Sequence, residues 1–87
     1  MKVKELVNLL EKCDPEAEVI ISRDEEGNGF SPLYEVCDNQ SYIPDNAYSG
    51  EIALRELTDE LINAGYSEED VYTGEGSVKA VVLWPTN

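Results

Sequence analysis

Apolar positions along this chain change rhythm several times, and each change marks an element. Val3, Leu6, Val7 and Leu10 recur at i, i+3, i+4 and i+7, with Lys2, Lys4, Glu5, Asn8, Glu11 and Lys12 between them, which predicts an amphipathic helix. Asp14-Pro15 should stop it near Lys12 or Cys13, because proline holds the residue before it in an extended conformation. Glu18 to Arg23 then carries a short β-branched run that predicts a buried strand. A tight connection at Glu26-Gly27-Asn28-Gly29 and renewed apolar content at Phe30, Leu33, Tyr34 and Val36 predict a hairpin. Its second strand, Phe30 to Val36, contains Pro32, which should bend it or place it at an edge.

From Asp38 to Gly50 the sequence interleaves turn and polar residues with two tyrosines and one isoleucine, the composition of a long ordered loop, and such loops often carry function. Glu51 to Leu57 alternates Ile52 and Leu54 with Ala53 and Arg55, which predicts a third strand. Thr58 stands at an N-cap, with Asp59 and Glu60 in the first turn and Gly65 as C-cap, so a two-turn helix should run through Ala64. Ser67 to Asp70 repeats the capping pattern and predicts Val71 and Tyr72 on a single helical turn. Val78 to Trp84 is the most apolar strand and the expected centre of the sheet.

These elements predict one small α+β domain over residues 1–87. An N-terminal amphipathic helix should pack on a mostly antiparallel sheet of three to five strands, with a short second helix. The longest apolar runs, Val19-Ile20-Ile21 and Ala80 to Trp84, fall far short of the roughly 20 residues of a membrane helix. The N-terminal segment lacks the apolar centre of a secretion signal, so the expected location is the cytoplasm. Cys13 and Cys37 form no C-x-x-C pair and have no histidine partner, and they are expected as reduced, part-buried thiols.

Charge narrows the partners. Nineteen acidic side chains stand against six basic ones, with no histidine, for a net charge of -13. Such a surface repels nucleic-acid phosphates and anionic lipid and attracts basic protein surfaces through fields that salt weakens. Without histidine the commonest acid and base near neutral pH is missing, and no serine, cysteine or lysine sits in an activating arrangement, so no enzyme is expected. No cofactor motif is present either: GEGSVK, residues 74–79, lacks the spacing of a phosphate-binding loop and reads as a strand-entry turn.

The count of a calcium loop does occur, with Asp24, Glu26 and Asn28 at positions 1, 3 and 5, Gly29 at 6 and Glu35 at 12. Glutamate at position 3, Ser31 at 8, Pro32 at 9 and flanking strands argue against it, and a hairpin turn explains the same residues without a metal. Asp24, Glu25 and Glu26 then form a solvated acidic knob. Together with Glu68, Glu69 and Asp70, and with Tyr42 and Tyr48 from the expected loop, they are the candidate partner-binding residues. Tyrosine gives large contact area at small entropic cost. The competing reading, a tyrosine that caps a core edge with its hydroxyl in water, applies to each tyrosine.

The succession K-V-K-E-L-V-x-L-L, D-P-E-A-E-V, D-E-E-G-N-G-F-S-P-L, E-L-T-D-E-L, G-Y-S-E-E-D-V-Y and A-V-V-L-W-P resembles small acidic proteins encoded by bacteriophages and prophages. The resemblance spans nearly the whole chain but includes no catalytic signature, so no functional residue is carried over. It implies a host-cytoplasmic setting, in which small acidic phage proteins sometimes block DNA-binding host factors or defence nucleases by imitating nucleic-acid charge. The expected function is an inhibitory binding module on a basic, nucleic-acid-binding surface. The alternative is a structural or assembly accessory, a small dimer whose charge keeps it in solution.

Overall fold

A computed structural model describes residues 1–86. In chain order it holds α1 (Val3–Leu10), β1 (Ile20–Ser22), β2 (Phe30–Pro44), β3 (Gly50–Leu54), α2 (Asp59–Asn63), a 3-10 turn (Glu68–Asp70) and β4 (Val78–Pro85). Four antiparallel strands with an N-terminal helix and a short second helix make an α+β fold. The centre is β2, to which β1, β3 and β4 each pair, and not the more apolar β4. Length decides this: β2 has 15 residues against eight in β4, enough to pair with β1 near its start and β3 near its end. Among the described residues no helix is long and apolar enough to cross a membrane. The chain divides into two compact units, one formed by Met1–Glu35 with the segment from Leu83, the other by Val36–Val82.

In the first unit the Glu5 carboxylate accepts the Lys2 backbone N–H at 3.3 Å, tying the start of α1. The helix ends at Leu10, and the Asp14 carboxylate accepts the Glu16 N–H at 2.9 Å as the chain turns past Pro15. Strands β1 and β2 pair with Ile20 opposite Pro32 and Ser22 opposite Phe30, and the Arg23 N–H donates to the Gly29 carbonyl at 2.8 Å to close the hairpin. Pro32 is not at an edge, because the Thr86 N–H donates to its carbonyl at 3.0 Å from the other side. In an antiparallel ladder the N–H and C=O of one residue face the same neighbour. The donor that Pro32 lacks therefore falls opposite exposed Thr86, just past the end of β4, where water can serve the orphaned carbonyl. Both cysteines are free; Cys13 is exposed where a part-buried thiol is expected, because it lies past the helix end, and Cys37 is half-buried.

In the second unit, the expected loop from Asp38 to Gly50 is mostly strand. β2 continues through Pro44 and pairs with β3 from Gln40 opposite Leu54 to Pro44 opposite Gly50. No apolar alternation marks it, because both faces are covered here and two adjacent covered positions are polar: Gln40 is buried and Ser41 is 0% exposed. Only Asp45 to Ser49 turn, with the Asp45 N–H bonded to the Ser49 carbonyl at 2.9 Å and the Asn46 side chain accepting the Tyr48 and Ser49 N–H groups at 2.7 and 3.0 Å. β3 stops at Leu54, short of the expected Leu57, where Asn39 takes over the pairing. That residue is left-handed (φ 62°), a conformation Asn tolerates better than other side-chain-bearing residues. Its amide accepts the Glu56 N–H and donates to the Glu56 carbonyl, both at 2.9 Å, while its own carbonyl accepts the Arg55 N–H at 3.0 Å.

The Thr58 hydroxyl accepts the Leu61 N–H at 3.3 Å to start α2. Gly65, at φ 103°, ends it while the Tyr66 N–H reaches back to the Leu61 carbonyl at 3.0 Å, a left-handed cap that penalises any side chain. Val71 and Tyr72 are not on a helical turn. The 3-10 turn stops at Asp70, Val71 bridges Leu54 in parallel, and the Tyr72 N–H donates to the Leu54 carbonyl at 3.0 Å. The last backbone acceptor of β3 thus captures this segment in extended form, beside the buried side chain of Leu54.

Candidate functional site

All 19 carboxylates are exposed. The first unit has nine acidic against four basic side chains, a net -5, and the second ten against two, a net -8. The candidate residues are divided between the units: Asp24, Glu25 and Glu26 belong to the first, and Tyr42, Tyr48, Glu68, Glu69 and Asp70 to the second.

Within the first triplet the three acids have different jobs. The Asp24 carboxylate accepts the Glu26 N–H at 3.0 Å and the Asn28 N–H at 3.1 Å through one oxygen, and the Asn28 side-chain amide at 2.8 Å through the other. The backbone N–H of Asn28, followed by its side-chain amide, holds the Asp24 carboxyl below the usual aspartate range, since each donor favours the ionised form. Asp24 therefore organises the hairpin loop, and Glu25 and Glu26 project from it as the exposed charge. The same geometry bears on the calcium-loop spacing: Glu35, at position 12 by count, lies within β2. Among the described residues no group of three or more acidic or thiol side chains converges in the manner of a cation site.

The second triplet is built alike. Asp70 accepts the Ser67 N–H at 2.9 Å while its own N–H donates to the Ser67 carbonyl at 3.0 Å, so it closes the 3-10 turn. Glu68 and Glu69 remain as exposed charge. Glu68 borders an open depression of about 580 Å³ lined with Arg55, Glu56, Leu57, Val71 and Thr73. The Arg55 guanidinium is turned towards the β2–β3 ladder, donating to the Ser41 hydroxyl at 3.1 Å, so two glutamates and one arginine give this depression an acidic rim.

Tyr42 is in β2 opposite Ile52, half-buried, and not in a loop. Its ring crosses Gly50, where an added Cβ would lie 2.7 Å from the ring carbons; it is a packing residue of the ladder. Tyr48, at the tip of the Asp45–Ser49 turn, is 97% exposed. That turn adjoins Gly50 at one end of β3, and the segment after Glu68–Asp70 meets Leu54 at the other, a separation of about 13–17 Å at the rise of a strand. The structure thus joins Glu68 to the Arg55–Glu56 depression and sets the Tyr48 turn and the acidic turn at opposite ends of β3, with Tyr42 between them on the ladder.

A further set of exposed residues, Phe30, Tyr34 and Trp84 of the first unit, lies outside the candidate partner-binding residues. The signal was the two-residue period Phe30, Pro32, Tyr34, which places all three on one face of β2. No protein-family model, curated protein or solved structure matches this chain.

Proposed function

We propose that the protein is an acidic binding module that occupies a basic surface of another protein, of the kind that otherwise holds nucleic acid. The observation that carries this reading is the exposure of all 19 carboxylates against six cationic side chains. A fold of this size needs far less charge to stay soluble, a magnitude of about 2–8 being sufficient for a small domain. Glu25, Glu26, Glu68 and Glu69 are the recognition charges, and Asp24 and Asp70 hold the loops that present them. Exposed carboxylates with little positive charge around them speed encounter with a cationic groove and repel nucleic acid itself. Tyr48 supplies aromatic contact area at a turn tip, and Tyr42 acts only through the ladder that supports it. The setting implied by the resemblance, a bacterial cytoplasm, fits an inhibitor of a nucleic-acid-handling host or defence protein.

The test is affinity capture from a nuclease-treated bacterial lysate on the immobilised chain, eluted with a salt gradient and, separately, with duplex DNA. The expected result is a retained protein that binds nucleic acid, released by salt and displaced by DNA. Retention only of proteins indifferent to both would overturn the reading.

A further inference from the structure

The sheet of the first unit has one covered and one bare face. Ile21, Ser31 and Leu33 are buried or half-buried, whereas Ile20, Phe30 and Tyr34, which alternate with them, are 49%, 66% and 74% exposed. The bond from the Thr86 N–H to the Pro32 carbonyl sets Thr86 opposite Pro32. Trp84, two residues back, therefore shares the face of Tyr34, and it is 50% exposed. The strand positions of this face, Ile20, Ser22, Phe30, Pro32, Tyr34 and Trp84, include no charged residue, in a chain of which 29% is charged.

We infer that this bare face is a self-association surface on which a second copy of the chain stacks sheet to sheet. Area supports that occupant. The four large side chains leave roughly 500 Å² exposed, given about 150–250 Å² for an aromatic side chain. With Pro32, Ser22 and the surrounding rim this approaches the roughly 800 Å² per partner of a standard stable interface. Charge supports it too: a basic partner would bury its cations here against no counter-charge, which is costly, whereas two uncharged faces meet without that penalty. A two-fold axis through the face makes it self-complementary, each copy's Tyr34 and Trp84 meeting the other's apolar strands about 10 Å apart. Opposing this is the repulsion between two chains of charge -13, which salt screens. Association by this face therefore strengthens with salt, whereas an acidic contact to a basic partner weakens, so the two readings fail independently.

Trp84 is the only tryptophan, so its emission reports the face without any substitution. The experiment is sedimentation equilibrium from about 1 μM to about 1 mM chain at low and high salt, with tryptophan emission read on the same samples. A species of twice the 9.7 kDa chain mass, favoured by salt and accompanied by a blue shift, is the expected result. Tyr34→Asp sets two carboxylates on the apposed faces and should abolish it, Phe30→Ser should weaken it at least tenfold, and Tyr48→Asp should leave it intact. Circular dichroism on each variant checks folding. A monomer throughout the range at both salt concentrations, or a dimer without a blue shift or unaffected by folded Phe30→Ser and Tyr34→Asp, would overturn the inference.

Discussion

Asn39 concentrates more of the second unit's geometry than any other single side chain. It is the one described non-glycine residue with positive φ, and its amide makes two bonds of 2.9 Å to the backbone of Glu56 just beyond β3. Replacing it with alanine removes both bonds, each worth about 0.5–1.5 kcal/mol net. The low end applies, because Glu56 is exposed and water can take over its N–H and C=O. Alanine must also hold the left-handed conformation, at about 1–2 kcal/mol. The expected loss is about 2–3 kcal/mol, or roughly 10–20 °C in melting temperature for a domain of this size. Glycine loses the same bonds without the left-handed penalty, and Asn39→Gly should cost only about 1–2 kcal/mol after its backbone entropy is counted. Urea unfolding followed by circular dichroism measures both. The diagnostic is the order: glycine above alanine, the reverse of an ordinary strand position. Alanine equal to or more stable than glycine would refute the assignment of Asn39 as a left-handed clamp.

Two further outcomes follow from local geometry. A Cβ on Gly50 would lie 2.5 Å from the Ile43 carbonyl oxygen and 2.7 Å from the Tyr42 ring, so Gly50→Ala should destabilise by about 1–3 kcal/mol; an unchanged urea midpoint would show that the ring and turn move aside freely. Asp24 has a depressed pKa in the folded chain, so the stability it lends the hairpin loop is present at neutral pH and is lost as pH falls through that depressed value, on the acid side of about pH 4. Amide exchange at Asn28, read by NMR, should show protection collapsing there in the native chain and already absent at neutral pH in Asp24→Ala, whereas equal protection in both would contradict the role given to Asp24.

Features governed by local rules are legible in the sequence. The spacing of Val3, Leu6, Val7 and Leu10 marked α1, and Thr58 with Gly65 bounded α2, because caps and helical periods act over a few residues. Gly27, Asn28 and Gly29 marked the hairpin loop for the same reason. Two errors came from treating hydrophobicity as burial. β2 runs on through Gln40 and Ser41, whose burial is polar and hydrogen-bonded, so no apolar alternation announced it. Composition points to β4 as the centre, although the length and pairing of β2 decide it. At the candidate site the acidic triplets stood out in the sequence, but it could not separate carboxylates that hold a loop, Asp24 and Asp70, from those that face solvent, Glu25, Glu26, Glu68 and Glu69. That distinction depends on which oxygens accept backbone N–H groups.

If exposed carboxylates make the contact, the salt dependence of affinity for a captured basic partner must reveal them. Binding is measured by titration calorimetry across a salt series for the native chain, for Glu25→Gln with Glu26→Gln, and for Glu68→Gln with Glu69→Gln. These pairs spare the loop-forming Asp24 and Asp70, so folding is retained. Affinity should fall steeply with salt for the native chain, and at least one pair of substitutions should weaken binding and flatten the slope. An affinity independent of salt and unchanged in both double variants would contradict a carboxylate contact.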